Sequence, residues 1–218
     1  MARKSKEKAI TTIYLVRHGA TEWNHTKRAQ GQADIALNDS GREQAESAAL
    51  ALADLDIVAV YASDLSRARD TAAPIARTHD LEVVTDPDFR EIDQGEWEGL
   101  QVDDIKKAWP EMWGAARHYS TRPGGESPAQ VRERALAGIK RIVKAHPEGT
   151  VVVVSHGGTI RWLSAEAMGY NDGYSARLRG VSNGGAVSFQ ASLNGDDLVL
   201  SDLVRMDGSG TDLDDPNV

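Results

Sequence analysis

Apolar runs alternate along the chain with amphipathic stretches, and this alternation predicts strands and helices in turn. The apolar runs are rich in β-branched and aliphatic residues, which is typical of strands buried in a sheet. Several are bounded by glycine, proline or aspartate, the residues that end strands. The predicted strands cover residues 11–16, 57–63, 81–87, 150–155, 185–192 and 197–203.

Two amphipathic stretches in the first half of the chain predict helices. "SGREQAESAALALADL" starts with a capping box, because Glu43 follows Ser40 by three residues. The stretch from Asp64 to His79 predicts a second helix that is entered directly from a strand, with Ser63 or Asp64 as its N-cap.

Two more helices are predicted in the second half. One starts after Ser127, with Pro128 at its first position and Gln130 completing a capping box. The other follows the valine-rich strand and ends at Gly169. Between the two halves, residues 100–122 are predicted to form an irregular, partly helical excursion.

The order of these elements predicts an α/β fold, a three-layer α/β/α sandwich around a mostly parallel central sheet. A chain of 218 residues with 40% hydrophobic content suits one substantial core. We therefore expect a flexible basic tail over residues 1–9, one domain over residues 10–206 and a disordered acidic tail over residues 207–218.

Composition narrows the function. The net charge of −8 argues against a nucleic-acid partner, although a local basic pocket can still bind a small phosphate inside an acidic protein. The absence of cysteine excludes disulfides and thiolate chemistry. Without an apolar window of membrane-spanning length or a signal peptide, the sequence predicts a cytoplasmic protein with no membrane partner.

Polar clusters follow three of the predicted strands. "RHG" follows the first, "SDLSRARDT" the second and "SHGG" the valine-rich strand. Ligands of α/β sheets bind beyond the carboxyl ends of the strands, so one site is expected to collect Arg17, His18, Arg67 and His156. Arginine matches phosphate oxygens, and helix N-termini after Ser63 and Gly157 would add N–H groups and positive charge. The pattern predicts an anion pocket for a phosphoryl group.

Five motifs, taken together, point to a family. "LVRHGATEWN", "SDLSRARDTA", "FREIDQGEWEG", "PGGES" and "VVVVSHGG" occur in an order and spacing that resembles the histidine phosphatase superfamily, which includes cofactor-dependent phosphoglycerate mutase. The resemblance covers residues 10–189 and implies a phosphoglycerate mutase-like fold. It also implies catalysis through a phosphohistidine, with neither a metal nor a cofactor.

The resemblance assigns roles to individual residues. His18 would attack phosphorus and become phosphorylated, and Glu91 would protonate the leaving group. The phosphoryl oxygens would be held by Arg17, Arg67 and His156. Further substrate contacts are expected from Thr21, Asn24, Gln30, Gly31 and Gly157. Because arginines oppose a second positive charge, they should lower the pKa of His18 and leave a ring nitrogen free to attack.

The superfamily contains both phosphatases and mutases. The mutases carry a longer basic insertion after the acidic residue, whereas carboxylates outnumber cations in "REIDQGEWEGLQVDDIKKAW". "QG" at Gln30 and "PGGES" also resemble the phosphatase branch. We therefore predict a metal-independent phosphatase that hydrolyses a small phosphomonoester metabolite. The alternatives are a mutase-type phosphotransferase and a non-catalytic phospho-ligand-binding protein, while a metal-dependent phosphatase is disfavoured because no two-metal carboxylate spacing occurs.

The excursion leaves substrate identity open. Four of its residues either bind a carboxylate or second phosphate or are solvated: Arg117, His118, Tyr119 and Arg122. A phosphorylated sugar or a phosphoglycerate-like metabolite is the expected substrate, and a homodimer stays open as the assembly.

The remaining arginine, tryptophan and histidine residues are predicted to have structural rather than catalytic roles. Arg69 should face away from Arg67 around its helix, and Trp109 and Trp113 are expected to form a packing pair. Solvated or capping roles, rather than metal ligation, are expected for His25, His79, His118 and His146.

Overall fold

One six-stranded sheet organises the computed structural model, which describes residues 9–170 and 178–206. The strands are β1 (Thr11–Arg17), β2 (Ile57–Ala62), β3 (Val83–Thr85), β4 (Thr150–Ser155), β5 (Ala186–Asn194) and β6 (Asp197–Arg205). Their order is β3-β2-β4-β1-β5-β6. The strands β3, β2, β4 and β1 run parallel to one another. β5 pairs antiparallel with β1, and β6 pairs antiparallel with β5.

Helices cover both faces of the sheet. They are α1 (Glu22–His25), α2 (Asp39–Leu52), α3 (Ser66–Thr78), α4 (Val102–Ala108), α5 (Pro128–Ala145) and α6 (Gly157–Ala167). Along β4, Val151 and Val153 pack with residues of α5 and α6, whereas Val152 and Val154 pack with residues of α2 and α3. Side chains alternate across a strand, so the valine run fills both cores at once. The predicted three-layer sandwich is confirmed.

The predicted cap of α2 is wrong by two residues. The N-cap is Asn38, whose side-chain oxygen accepts the Gly41 N–H at 2.8 Å, and Ser40 lies inside the first turn. The earlier start brings Gly41 against the loop after β1. A Cβ on Gly41 would lie 2.1 Å from the Ala20 carbonyl oxygen, so only glycine permits this approach.

The predicted cap of α3 is also wrong. The helix starts at Ser66 after Leu65, which makes no side-chain cap bond. The Ser66 N–H instead donates to Asp34 Oδ1 at 2.7 Å, while Asp64 forms an ion pair with Arg90. A carboxylate distant in sequence therefore occupies this helix end, and the expected anion site at the start of α3 is filled by the protein itself.

The later elements follow the sequence closely. Ser127, Pro128 and Gln130 form the predicted start of α5, including both bonds of the capping box. α6 ends near Gly169, which has a left-handed backbone (φ +69°). The one-turn helix α1 was not predicted.

The excursion combines α4 with a short 3-10 helix at Gly114–His118. Trp109 and Trp113 do not simply pair with each other, because the rings of both pack against Trp97 at about 6 Å.

Three of the four histidines that were predicted to be solvated or to cap a helix do so. His25 is exposed, and His79 and His146 are the C-caps of α3 and α5. The prediction is wrong for His118, which is only 9% exposed. Arg69 is exposed, facing away from the buried Arg67 as expected.

The predicted tails lie outside the described residues, apart from Ala9. No helix within residues 9–170 and 178–206 is long and apolar enough to cross a membrane.

Candidate active site

Parallel strands and one helix bring four predicted side chains to one edge of the sheet. β1 ends at Arg17, directly opposite Ser155 at the end of β4, and the His18 N–H extends the pairing by donating to the Ser155 carbonyl at 3.0 Å. His18 and His156 therefore leave adjacent strands together, and their ring centroids lie 5.1 Å apart. Arg67 joins them from the first turn of α3.

The hydrogen bond of His18 determines its tautomer. Nδ1 lies 2.7 Å from the Gly19 carbonyl oxygen. A carbonyl oxygen only accepts, so Nδ1 carries the hydrogen and Nε2 of the neutral ring keeps its lone pair. Burial, followed by the charges of Arg67 and Arg17, holds the pKa of His18 well below its usual value. The sequence predicted the direction of this shift from the arginines, but burial is the larger cause.

The two arginines are aimed by backbone carbonyls. Arg17 Nη1 donates to the Val181 carbonyl at 2.7 Å, and Arg67 donates to the carbonyls of Ala33 and Gly31 at 2.7 and 2.8 Å. Gly31 has a left-handed backbone (φ +53°) that turns its carbonyl toward the guanidinium. Arg67 is fully buried, so its charge lies where water screens it little.

Several buried nitrogens in this cluster have no partner among the described residues. They are Arg17 Nε, Arg67 Nε and both ring nitrogens of His156. Burial, followed by the charge of Arg67, lowers the pKa of His156 well below its usual value and favours its neutral ring. Orphaned buried donors are rare in folded proteins and often mark functional sites. Here they surround His18 with groups suited to anionic oxygens.

Glu91 meets the cluster at the start of α6. Its Oε2 accepts the Gly158 N–H at 2.9 Å, and its Oε1 accepts its neighbour's N–H, from Ile92, at 3.0 Å. A Cβ on Gly158 would lie 2.5 Å from Glu91 Oε1, and one on Gly157 would lie 3.3 Å from Arg17 Nε. The paired glycines therefore let a carboxylate and a guanidinium approach the same helix end.

A second ion pair holds the Glu91 loop in place. Arg134 of α5 donates to the carbonyls of Asp88, Arg90 and Glu91 at 2.7 to 2.9 Å. Its partner Glu126 accepts from Arg134 and from the Asp93 N–H, each at 2.9 Å. We call these two residues the Arg134–Glu126 bracket. Sequence analysis missed its role, although Glu126 belongs to the "PGGES" motif, which leads directly into α5.

The other predicted substrate-binding residues form a hydrogen-bonded group beside His18. Thr21 is fully buried as the N-cap of α1, and its hydroxyl lies within hydrogen-bond distance of Asn24 Oδ1 (3.1 Å) and Gln30 Oε1 (3.0 Å). Asn183, another residue that sequence analysis missed, donates from one amide nitrogen to the His18 carbonyl at 2.9 Å and to Asn24 Oδ1 at 3.5 Å. Asn24 thus lies close to the His18 backbone, while Thr21 and Gln30 bind each other.

A cavity of about 480 Å³ extends from this cluster to the excursion. Arg17, Glu91 and Gly157 line it at the sheet edge. At the far side its walls include Trp97, Trp113, Arg117, His118 and Arg122. Tyr119 is half exposed and does not line it. No group of histidine and carboxylate side chains among the described residues is arranged to hold a metal ion.

The fold and this edge of the sheet define an α/β enzyme that acts on phosphoryl groups. Residues 13–201 match the profile of the histidine phosphatase superfamily (branch 1), and the chain belongs to that family. It is thereby a phosphomonoester hydrolase of the histidine phosphatase type, with mutases among its relatives.

Relatives of both kinds are similar to this chain. A metal-independent phosphoserine phosphatase of Arabidopsis thaliana is 40% identical over 71% of this chain and 68% of its own. A probable phosphoglycerate mutase of Erwinia tasmaniensis is 36% identical over 77% of this chain and 79% of its own. The solved structure of mycobacterial glucosyl-3-phosphoglycerate phosphatase with VO3 has a TM-score of 0.81 at 31% identity, covering 88% of this chain and 96% of that one.

Proposed function

We propose that the protein hydrolyses a small phosphorylated metabolite in two displacements through a phosphorylated His18. In the first, His18 Nε2 attacks phosphorus, the bond from phosphorus to the leaving oxygen breaks, and Glu91 gives that oxygen its proton. In the second, water attacks the phosphohistidine, Glu91 accepts a proton from the water, and inorganic phosphate departs. Each displacement is easier than direct attack of water on the ester.

The observation that carries this proposal is the tautomer of His18 within its cationic surroundings. The bond from Nδ1 to the Gly19 carbonyl supports Nε2 as the attacking atom. The charges of Arg17 and Arg67 act on His18, and backbone carbonyls set the orientation of both guanidinium groups. Charge that spreads over the equatorial oxygens of the moving phosphoryl group would meet donors that are already in place. We assign His156 to the same clamp.

The position of Glu91 supports its assignment as acid and base. Two N–H groups hold its carboxyl in the wall of the cavity, beside the cluster that would receive the phosphoryl group. The leaving group would therefore lie on the cavity side, where a proton is needed. Asn24, Gly157 and the group formed by Thr21, Gln30 and Gly31 would contact the phosphoryl group or hold those that do.

A phosphohistidine trap tests the mechanism directly. Wild type quenched during turnover of a radiolabelled phosphomonoester should carry acid-labile label on the peptide that contains His18. His18→Ala should carry none, while His25→Ala, which changes an exposed histidine, should label like wild type. Turnover in His18→Ala at the wild-type rate would overturn the mechanism.

Hydrolysis rather than mutase turnover is expected from the loop after Glu91. Carboxylates outnumber cations in this loop, whereas the mutases carry a longer basic insertion at this place. We expect a cytoplasmic enzyme whose substrate is a phosphorylated sugar or a phosphoglycerate-like metabolite. Given 3-phosphoglycerate and catalytic 2,3-bisphosphoglycerate, the protein should release phosphate and form little 2-phosphoglycerate. Isomerisation faster than phosphate release would assign it to the mutases.

A further inference from the structure

The far side of the cavity is strongly cationic. Among the described residues, five arginines and one carboxylate, Glu91, line the cavity of a chain whose net charge is −8. The phosphoryl cluster at the sheet edge uses only one of these arginines, Arg17. The other four are Arg117 and Arg122 of the excursion, Arg161 of α6 and Arg179.

Two of these arginines are held in fixed positions by indole rings. The Arg117 guanidinium lies 4.9 Å from the Trp113 ring centroid, and that of Arg122 lies 5.0 Å from Trp97. Arg122 also donates through Nε to Gln94 at 3.0 Å and through Nη1 to the Arg117 carbonyl at 2.7 Å. Stacking on an aromatic face orients a guanidinium while leaving its edge available for hydrogen bonds.

Neither arginine is neutralised by the part of the protein that the structure describes. No described carboxylate forms an ion pair with Arg117 or Arg122, and no described acceptor contacts Arg117 Nη1, Arg117 Nη2 or Arg122 Nη2. Arg122 is only 6% exposed, and burial lowers its pKa to about 10, so it still carries its charge at neutral pH. The Glu91 carboxylate raises the pKa of Arg122 but forms no ion pair with it. A buried guanidinium without a paired carboxylate is costly, which indicates that an anionic group of a ligand pairs with it.

His118 adds a hydrogen-bonding group to this region without adding charge. Burial, followed by the charges of Arg117, Arg161 and Arg122, lowers its pKa to about 4. Its ring is therefore neutral at physiological pH, and its Nε2 lies 3.3 Å from Arg117 Nε. The charge of the region consequently comes from the arginines.

We infer that the leaving group of the substrate carries a second anionic group, a carboxylate or a phosphate, which Arg117 and Arg122 bind. This inference rests on the proposed function, because it places the first phosphoryl group on His18. It identifies the substrate class as a phosphomonoester with anions at both ends, one for the sheet edge and one for the excursion.

A matched pair of substrates tests the inference. 3-Phosphoglycerate and sn-glycerol 3-phosphate share a carbon skeleton. The first carries a carboxylate where the second carries a hydroxymethyl group. Wild type should favour 3-phosphoglycerate in kcat/KM by about 10–100-fold, the range expected for charge-assisted hydrogen bonds. Fructose 1,6-bisphosphate and fructose 6-phosphate, which differ by one phosphate, form a second pair that tests recognition of a second phosphate. A preference within either pair supports the inference and identifies the anion.

Variants separate charge recognition from folding. Arg117→Gln should bring the ratio of the two kcat/KM values in the preferred pair close to one. It should do so by lowering kcat/KM for the substrate that carries the second anionic group. Arg117→Lys should keep part of the ratio, and Arg69→Gln, which removes an exposed arginine outside the cavity, should keep all of it. Equal rates within both pairs, or an equal loss on both members of a pair in Arg117→Gln, would overturn the inference. His18-dependent hydrolysis of the substrates that lack the second anionic group would leave the proposed mechanism standing in that case.

Discussion

The strand-end cluster, formed by Arg17, His18, Arg67 and His156, meets the cavity through Arg17, and the excursion lines its other side. The two regions are built differently. In the cluster, backbone carbonyls in the loops after β1, before β5 and before α2 orient His18, Arg17 and Arg67, and β1 and β4 hold the backbone of His18. In the excursion, indole rings orient Arg117 and Arg122, and the backbone runs through a short helix and a 3-10 segment. One region takes its geometry from the sheet, and the other takes it from contacts between side chains.

This difference suits two tasks. Chemistry needs its groups held within a fraction of an ångström, which regular elements provide. Substrate selection is commonly assigned to connecting segments on a rigid scaffold, where sequence changes are tolerated. If this division is right, changes in the cluster should affect all substrates alike, and changes in the excursion should affect some substrates more than others.

The largest effect is expected at His18. His18→Ala should lower kcat by at least roughly 10⁴-fold for every phosphomonoester, because it removes the nucleophile itself. Turnover of several substrates by purified variant and wild type measures this, and circular dichroism checks the fold. A loss confined to one substrate would show that the cluster takes part in selection, and the comparison would fail.

Glu91→Gln should discriminate by leaving group. An alkoxide is a poor leaving group and should lose roughly 10²–10⁴-fold without its acid, whereas a nitrophenolate departs readily without one. Single-turnover phosphorylation of His18 by an alkyl phosphate and by p-nitrophenyl phosphate gives the two losses free of the hydrolysis step. Equal losses would remove Glu91 from the role of leaving-group acid.

Breaking the Arg134–Glu126 bracket should also slow the alkyl phosphate more than p-nitrophenyl phosphate, but with smaller losses than Glu91→Gln. Glu126→Gln removes the charge that pairs with Arg134, which in turn holds the Glu91 carbonyl. We expect about a tenfold loss with the alkyl phosphate and a smaller loss with p-nitrophenyl phosphate, because Glu91 would be less well placed. Glu46→Gln, which breaks an exposed ion pair with Arg77, is the matched control. A loss of general stability alone would lower both rates equally.

The rate should depend little on pH near neutrality. Burial and the neighbouring arginines lower the pKa of His18, so its neutral form persists as the pH falls below 6.5. Single-turnover phosphorylation by p-nitrophenyl phosphate should change less than about twofold between pH 7.5 and 5.5. A histidine at its ordinary pKa would lose about tenfold over the same interval. A loss of that size would mean that the pKa of the attacking ring is not lowered.

Chelation should have the smallest effect. In the proposed mechanism all the positive charge comes from side chains and a helix end, so prolonged EDTA treatment should leave kcat unchanged within error. A strong loss that Mg²⁺ or Zn²⁺ restores would require a metal site among the groups assigned here to phosphate binding.

Local chemistry made much of this protein readable from its sequence. The valine run of β4 predicted a strand buried on both faces, since composition reports burial directly. Ser127, Pro128 and Gln130 predicted the start of α5, since a capping box lies within four residues. The polar residues after β1 and β4 predicted a shared edge, because parallel neighbours end together. The fold and the shared edge of the sheet followed from these short-range patterns, and the family followed from the resemblance of the five motifs.

Only the tertiary structure decided the contacts between distant segments. Asp34 caps α3 from 32 residues away, where the sequence pointed to Ser63 or Asp64. His118 was expected to be solvated or capping, yet packing buries it beside the cavity. The bracket on the Glu91 loop and the indole faces under Arg117 and Arg122 also join separate segments. Periodicity and capping report on neighbours along the chain, whereas these contacts depend on how the excursion and α5 pack against the sheet edge.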